Sequence, residues 1–392
     1  MKASSVSKNY YNNSKAQSNN NMYTSANFRG IDSNSMLNAI ELSSLSQKAQ
    51  VSFSSKSKKR NIKVSQTNKE LFNVSNGKPK EKNSEVSQTN KELPNFSNAD
   101  SNKALMNALA SRDIEAARAI LATEGMDINY ADKDGNTALM NAARYFDTEA
   151  SKLLLEVEGI DVNHENKDGN TALMNAALTG DVKLVKALLK VEGIDVNHEN
   201  KDGDTALTFA AQNWGAETIK ELLKVEGIDI NHANKLGNTA LICAAQKCDI
   251  ETVKELLKVE GINVNHANKV GNTALLRAAE RRAVGIVQTL LRVKGINVNH
   301  ANKDGNTALI YAVEQRNIET VKALLKVNNI DVNHANQDGN TALLLAAFWE
   351  DTEIIKALLE AKNIDIKHAN KNGYTASMYA RRNLNIGKPI KK

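Results

Sequence analysis

The stretch Asn166–Glu199, NKDGNTALMNAALTGDVKLVKALLKVEGIDVNHE, is copied along the chain at a spacing of 34 residues. Its turn glycine recurs at Gly135, Gly169, Gly203, Gly237, Gly271, Gly305, Gly339 and Gly373, and the threonine two positions later recurs from Thr137 to Thr375 in the same phase. A fixed period of this length means stacked supersecondary units, a solenoid. Within one copy the residues read as turn, helix, turn, helix and extended arm. Asp168-Gly169 is a turn dipeptide, and the Thr171 hydroxyl can accept from one of the unpaired N–H groups that open a helix. Ala172, Leu173, Ala176 and Ala177 give that first helix a thin face, so a neighbour can come close. Asp181 caps a second helix whose Leu184, Val185, Leu188 and Leu189 form one apolar stripe. Gly193 is expected to end it in the left-handed conformation, with Ile194 to Asn197 running on as an extended arm. One copy buries too little to stand alone, so stability comes from nearest-neighbour stacking.

The unit resembles an ankyrin repeat. NKDGNTALMNAA matches that family's opening D-x-x-G-x-T-P-L-H-x-A-A, and ALL and IDVN match its close. The resemblance covers residues 101–392 and implies an all-α repeat solenoid of stacked helix-turn-helix units with β-hairpin-like loops. Departures are alanine in place of the proline after each threonine, Met, Thr, Ile or Leu in place of the histidine, and one extra residue near Glu192-Gly193. Proline at the first helical position only pre-sets φ, so alanine keeps the helix. The Asn, Lys and Ile bias and the near-identity of the copies further resemble ankyrin-repeat proteins of intracellular bacteria, some of which are exported into host cells.

The organisation expected is a disordered basic tail over 1–100, a first capping copy over 101–132, seven full copies over 133–370 and a truncated copy over 371–392. In the first, Ala104, Leu105, Met106 and Ala108 match the first helix and Asp113 and Ile120-Leu121 the second, but the turn glycine is missing. In the last, Arg381, Arg382 and Asn383 would face water. Second helices start at Asp113, Asp147, Asp181, Asp249, Asn317 or Asp351, most followed two residues later by glutamate, which opposes the positive helix end. Gly215 and Ala283 lack such a cap, so the middle of the array should fray first.

The formal net charge of +6 hides an asymmetry. Residues 1–100 hold 15 of the 51 basic and 7 of the 45 acidic residues, so the tail is net +8 and the remainder net −2. The tail is rich in Ser, Asn and Lys, a composition that cannot pay for folding. Met36, Leu37, Ile40, Leu42 and Leu45 form its one apolar cluster. Lys56, Lys58, Lys59 and Arg60 form a basic run suited to nuclear import or to phosphates, and VSQTNKEL occurs twice, at 64–71 and 86–93. No apolar run reaches the roughly 18 residues of a membrane span, and a conventional secretory signal is absent. The expected setting is the cytoplasm, or a host cell cytoplasm or nucleus reached by export without a signal peptide. Cys243 and Cys248 show neither a secreted-scaffold pattern nor a CxxC. They fit a reducing compartment, at the exposed end of a first helix, without a redox role.

No catalytic constellation emerges, and neither a cofactor nor a metal is expected. The seven histidines, His164, His198, His232, His266, His300, His334 and His368, hold the same place in each copy. Packed elements about 8–10 Å apart cannot share a zinc needing several ligands at about 2 Å, so a framework role at the loop base is expected. What varies between copies is the position four after the threonine: Asn141, Asn175, Phe209, Cys243, Arg277, Tyr311, Leu345 and Tyr379. It varies together with the positions three and four beyond it, and these share one helical face, read here as solvent-facing. The resemblance implies that this face and the hairpin tips form a concave groove for a protein partner. The tips read Lys-Asp in most copies but Lys235-Leu236 and Lys269-Val270 in two adjacent ones, and exposed apolar neighbours mark interaction sites. Candidate partner-binding residues are Phe209, Trp214, Leu236, Val270, Arg277, Arg281, Tyr311, Phe348 and Trp349, the aromatic ones as anchors. The resulting expectation is a monomeric, non-enzymatic interaction scaffold. The alternative is nucleic-acid association through the tail and an Arg277, Arg281, Arg282 and Arg316 patch, with steep salt dependence.

Overall fold

In a computed structural model the described residues are 98–123 and 126–379. The chain divides into units Met1–Thr89 and Asn90–Lys392, and all described residues lie in the second. The apolar cluster at Met36–Leu45, the basic run at Lys56–Arg60, the VSQTNKEL duplication and the Arg381, Arg382 and Asn383 cap fall outside the described residues.

Helices come in pairs, one pair per copy: α1 (Asn98–Ala110) and α2 (Ile114–Leu121), α3 (Ala138–Arg144) and α4 (Thr148–Leu155), α5 (Ala172–Thr179) and α6 (Val182–Leu188), α7 (Ala206–Gln212) and α8 (Ala216–Leu222). There follow α9 (Ala240–Lys247) and α10 (Ile250–Leu256), α11 (Ala274–Glu280) and α12 (Val284–Leu290), α13 (Ala308–Glu314) and α14 (Ile318–Leu325), α15 (Ala342–Phe348) and α16 (Thr352–Leu359). The odd-numbered, first helices pack on one another in one layer, the even-numbered ones in a second. The core lies between the layers: Leu173, Ala176 and Ala177 of α5 meet Leu184, Val185 and Leu188 of α6, and all are fully buried.

The caps follow the sequence. Thr137, Thr171, Thr205, Thr239, Thr273, Thr307 and Thr341 each accept from a backbone N–H three residues on. Asp147, Asp181, Asp249, Asn317 and Asp351 do the same for second helices. Gly215 and Ala283 make no side-chain cap. Two local expectations need correction. The second helix ends at Leu188, and its C-cap Leu189 is right-handed; Gly193, at φ +78, closes the turn that follows instead. The arm after it is not extended, because the Asp195 carboxylate accepts from Asn197 N at 3.0 Å and folds it into a turn.

Hydrogen bonds cross every junction between full copies. Each hairpin turn closes on itself, Asn166 N donating to Asn170 O at 3.0 Å and Gly169 N to Asn166 O at 2.9 Å. The tips then link to each other: Lys201 N donates to Asp168 O, Lys235 N to Asp202 O, Lys269 N to Leu236 O and Lys303 N to Val270 O, all at 2.9–3.1 Å. These bonds bring successive backbones so close that the turn must be glycine. A Cβ on Gly237, itself at φ +77, would lie 2.7 Å from Lys269 N.

Candidate functional site

The histidines belong to this junction. Each Nε2, just before the next hairpin opens, lies on the carbonyl of the turn glycine 29 residues earlier, from His232 on Gly203 O at 2.7 Å to His164 on Gly135 O at 3.2 Å. A carbonyl only accepts, so Nε2 carries the proton. That use of Nε2 is the framework role expected of these residues.

Two asparagine ladders run beside the histidines, and nothing in the sequence reading foresaw their geometry. In the first, Asn200 Nδ2 donates to Asn170 Oδ1 of the copy before at 2.8 Å, and Asn268 likewise to Asn238. In the second, Asn197 Nδ2 donates to Gly227 O of the copy after at 2.8 Å, while Asn197 Oδ1 accepts from Asp229 N at 2.9 Å. The available signal was that asparagine holds both places in nearly every copy. The exceptions carry the logic. Asp132 stands in the first ladder with no proton to donate, and Asn102 Oδ1, one period before Asn136, is buried without a partner among the described residues. Lys367 stands in the second ladder in the last described full copy.

Asp204 occupies an asparagine place as an acceptor, taking Asn234 Nδ2 at 2.8 Å and Gln212 Nε2 at 3.1 Å. Burial pushes its carboxyl above the usual range, aided by the nearby Asp202 charge and opposed by hydrogen bonds from Asn234, Thr208 and Gln212. At Asp132 burial also acts upward, but hydrogen bonds from Asn136, Asn141 and Asp134 outweigh it and hold the carboxyl low.

The face read as solvent-facing is only partly so. Asn175, Cys243, Tyr311 and Leu345 are buried, and Phe209 and Arg277 are half-buried. The physical reason is the alanine-thin first helix. Its neighbours approach closely enough to cover the flank on which these side chains lie. Asn175 Nδ2 donates to Met140 O of the copy before at 3.2 Å, and the Tyr311 hydroxyl accepts from Asn302 at 2.8 Å. Tyr311 is therefore a packed residue, not a surface anchor. Cys243 is likewise inside rather than at an exposed end, and burial pushes its thiol up to about 12; Cys248 is exposed, and both are free thiols.

Of the remaining candidates, Trp214, Leu236 and Val270 are the exposed apolar ones, at 65%, 53% and 51%. Leu236 and Val270 sit on adjacent hairpin tips, joined through the Lys269 N bond to Leu236 O. Trp214 follows α7, with Lys247 Nζ 5.6 Å from its ring centroid, a cation–π contact. Its backbone is left-handed, φ +56, as at Phe146, Cys248, Arg282, Arg316 and Glu350 in the same place of other copies, where Gly180 shows the unstrained choice. Left-handed backbone costs a non-glycine residue about 1–2 kcal/mol, and no sequence signal announced it because the residue types there differ. Phe348 and Trp349 are half-buried and packed edge to face at 5.0 Å, and Phe348 meets Tyr379 at 5.4 Å. Arg277 Nη1 pairs with Glu280 at 2.8 Å and Arg316 Nε with Asp351 at 3.3 Å, and Arg281 also has a partner. Arg277 and Arg316 of the arginine patch are thus engaged in ion pairs within the protein. Among the described residues no helix is long and apolar enough to cross a membrane, and no group of three or more potential metal ligands forms.

Comparison with known families matches a model described as ankyrin repeats (3 copies) to overlapping segments 80–166, 142–234, 173–268, 210–302, 241–336, 283–370 and 327–388. Among solved structures, the human ASB11 ankyrin repeat domain is 27% identical with a TM-score of 0.52, over 59% of this chain and 100% of that one. The ankyrin repeat domain of Bcl-3, described as a unique member of the IkappaB protein family, is 26% identical with a TM-score of 0.51, over 58% of this chain and 100% of that one. No curated protein matches the sequence.

Proposed function

This chain belongs to the ankyrin-repeat family, whose repeats are general protein–protein interaction modules, and from that premise we propose that it is a non-enzymatic scaffold binding a protein partner across its hairpin tips and first-helix face. The observation that carries this reading is the pair Leu236 and Val270, two exposed apolar side chains on bonded neighbouring tips where five other copies have aspartate. Ordered neighbours hold them in place, so a partner finds the face already formed and pays little to organise it. The Trp214 ring adds an aromatic anchor of the kind that dominates interface energetics. Arg277 and Arg316 already bound to carboxylates argue against the array as a nucleic-acid surface. The basic tail, with Lys56, Lys58, Lys59 and Arg60, is assigned to delivery or localisation, in the cytoplasm or after export into a host cell.

Immobilised full-length chain should retain a defined protein from a lysate. The double variant Leu236→Asp, Val270→Asp, with an unchanged circular dichroism spectrum, should not. Equal retention by both chains would sink the groove reading. A reporter fused to the chain and followed from producing cell to host cell tests the export part, which fails if the reporter never leaves the producer.

A further inference from the structure

We propose that the partner segment recognised at this face is an acidic, apolar-bearing peptide of another protein. The inference rests on the groove reading above and adds the chemistry of what fills it.

The residue before the turn glycine is Asp134, Asp168, Asp202, Asp304 or Asp338 in five copies, each beside a lysine or Gln337. Leu236 and Val270 replace it in two adjacent copies, while Lys235 and Lys269 remain. Both tips therefore lose a carboxylate and keep an ammonium group. Lys235 Nζ donates to the Lys201 carbonyl, which fixes its position without neutralising it. In the same two copies the far ends of α9 and α11 carry Lys247, Arg281 and Arg282, all exposed. The eight residues of α9 and the seven of α11 separate the two edges by about 10–12 Å at about 1.5 Å per residue. Over these two copies the face offers apolar tips and cations at one edge and cations at the other.

A complementary partner must present apolar side chains to Leu236 and Val270 and carboxylates to the surrounding cations, since complementary charge selects partners and steers their approach. A nucleic acid fits less well. Its phosphates gain nothing from Leu236 and Val270, and Glu280 lies within the face, beside Arg277, where it repels a continuous polyanion.

The test is selection of a random-peptide display library on the full-length chain, followed by binding of the enriched peptides to two variants. One is Leu236→Asp, Val270→Asp. The other is Arg281→Glu, Arg282→Glu, in which the left-handed place at Arg282 takes the residue type that Glu350 already shows it accepts. The expected result is enrichment of Asp and Glu alternating with large apolar residues, with affinity falling about tenfold or more in either variant, the parent's binding weakening as salt rises and the arginine variant's depending on salt less. Neutral or basic peptides that are lost on the tip variant would overturn the acidic-peptide inference and leave the groove reading standing. Peptides that bind parent and both variants alike would overturn both. A labelled RNA or DNA oligonucleotide that binds the parent and is lost on the arginine variant, with no acidic peptide enriched, would assign the cations to phosphate and also overturn the inference.

Discussion

Gly237 and Gly373 occupy the same turn at the same φ of +77, yet only Gly237 has another copy against it. A Cβ on Gly373 meets nothing within 4 Å. Gly373→Ala should therefore cost only the left-handed strain, about 1–2 kcal/mol. Gly237→Ala must also push back the Lys269 amide and should cost about 1–3 kcal/mol more; urea titrations of the two variants measure the difference. Asp204 gives a second residue-scale prediction. Its folded carboxyl lies above its unfolded value, so the folded state binds more protons, and its contribution to stability falls as pH rises from the unfolded value through the folded one. Asp204→Asn, the residue other copies have, should raise the melting temperature at neutral pH, with the gain shrinking as pH falls toward the ordinary carboxylate range. A gain independent of pH would assign the effect to packing. Turn glycines, threonine caps and the apolar stripe could be read from the sequence because each is a local requirement stated once per copy. The burial of Tyr311 and Cys243 could not. Variation between copies reads as exposure in a sequence, whereas here it reflects different ways of packing against a close neighbour.

At the scale of the element, α8 and α12 lack the side-chain cap that the other second helices of full copies have. Both absences were visible as Gly215 and Ala283 in the sequence, but what a repair would do was not. Ala283→Asp can accept from the α12 amides and should stabilise by about 0.5–2 kcal/mol. Gly215→Asp should gain less or lose, because a Cβ at Gly215 would lie 2.8 Å from Ala210 O. Amide hydrogen exchange of the parent chain should be faster at the start of α8 and α12 than at the start of α6 and α10. Uniform protection of the four would show that stacking alone sets local stability.

At the scale of the whole molecule, cohesion is divided among equal junctions. Asn265 bonds Gly295 O at 2.8 Å and Asn297 N at 2.8 Å, and Asn268 bonds Asn238 at 2.8 Å, all across the junction between the α9/α10 and α11/α12 copies. Asn265→Ala with Asn268→Ala should weaken that junction by roughly 2–4 kcal/mol. Denaturant unfolding should then broaden as the two sides begin to melt separately; a curve shifted but equally steep would mean that coupling spans several copies. These bonds also have a direction. A copy gives its tip carbonyl and the Oδ1 of its Asn170-type asparagine to the copy after, and its tip amide and the Nδ2 of its Asn166-type asparagine to the copy before, so its two faces fit each other and neither fits itself. Such a series has no intrinsic last member. Asp132 and Lys367 mark the ends by withholding one amide each, while the copies between them share the ladder bonds, with Asp204 standing in for asparagine as an acceptor. Another 34-residue unit spliced between full copies would meet a ready partner on both sides. Copy number is thus open to change by simple duplication, and the reach of the binding face can be inherited as a length rather than redesigned as a shape.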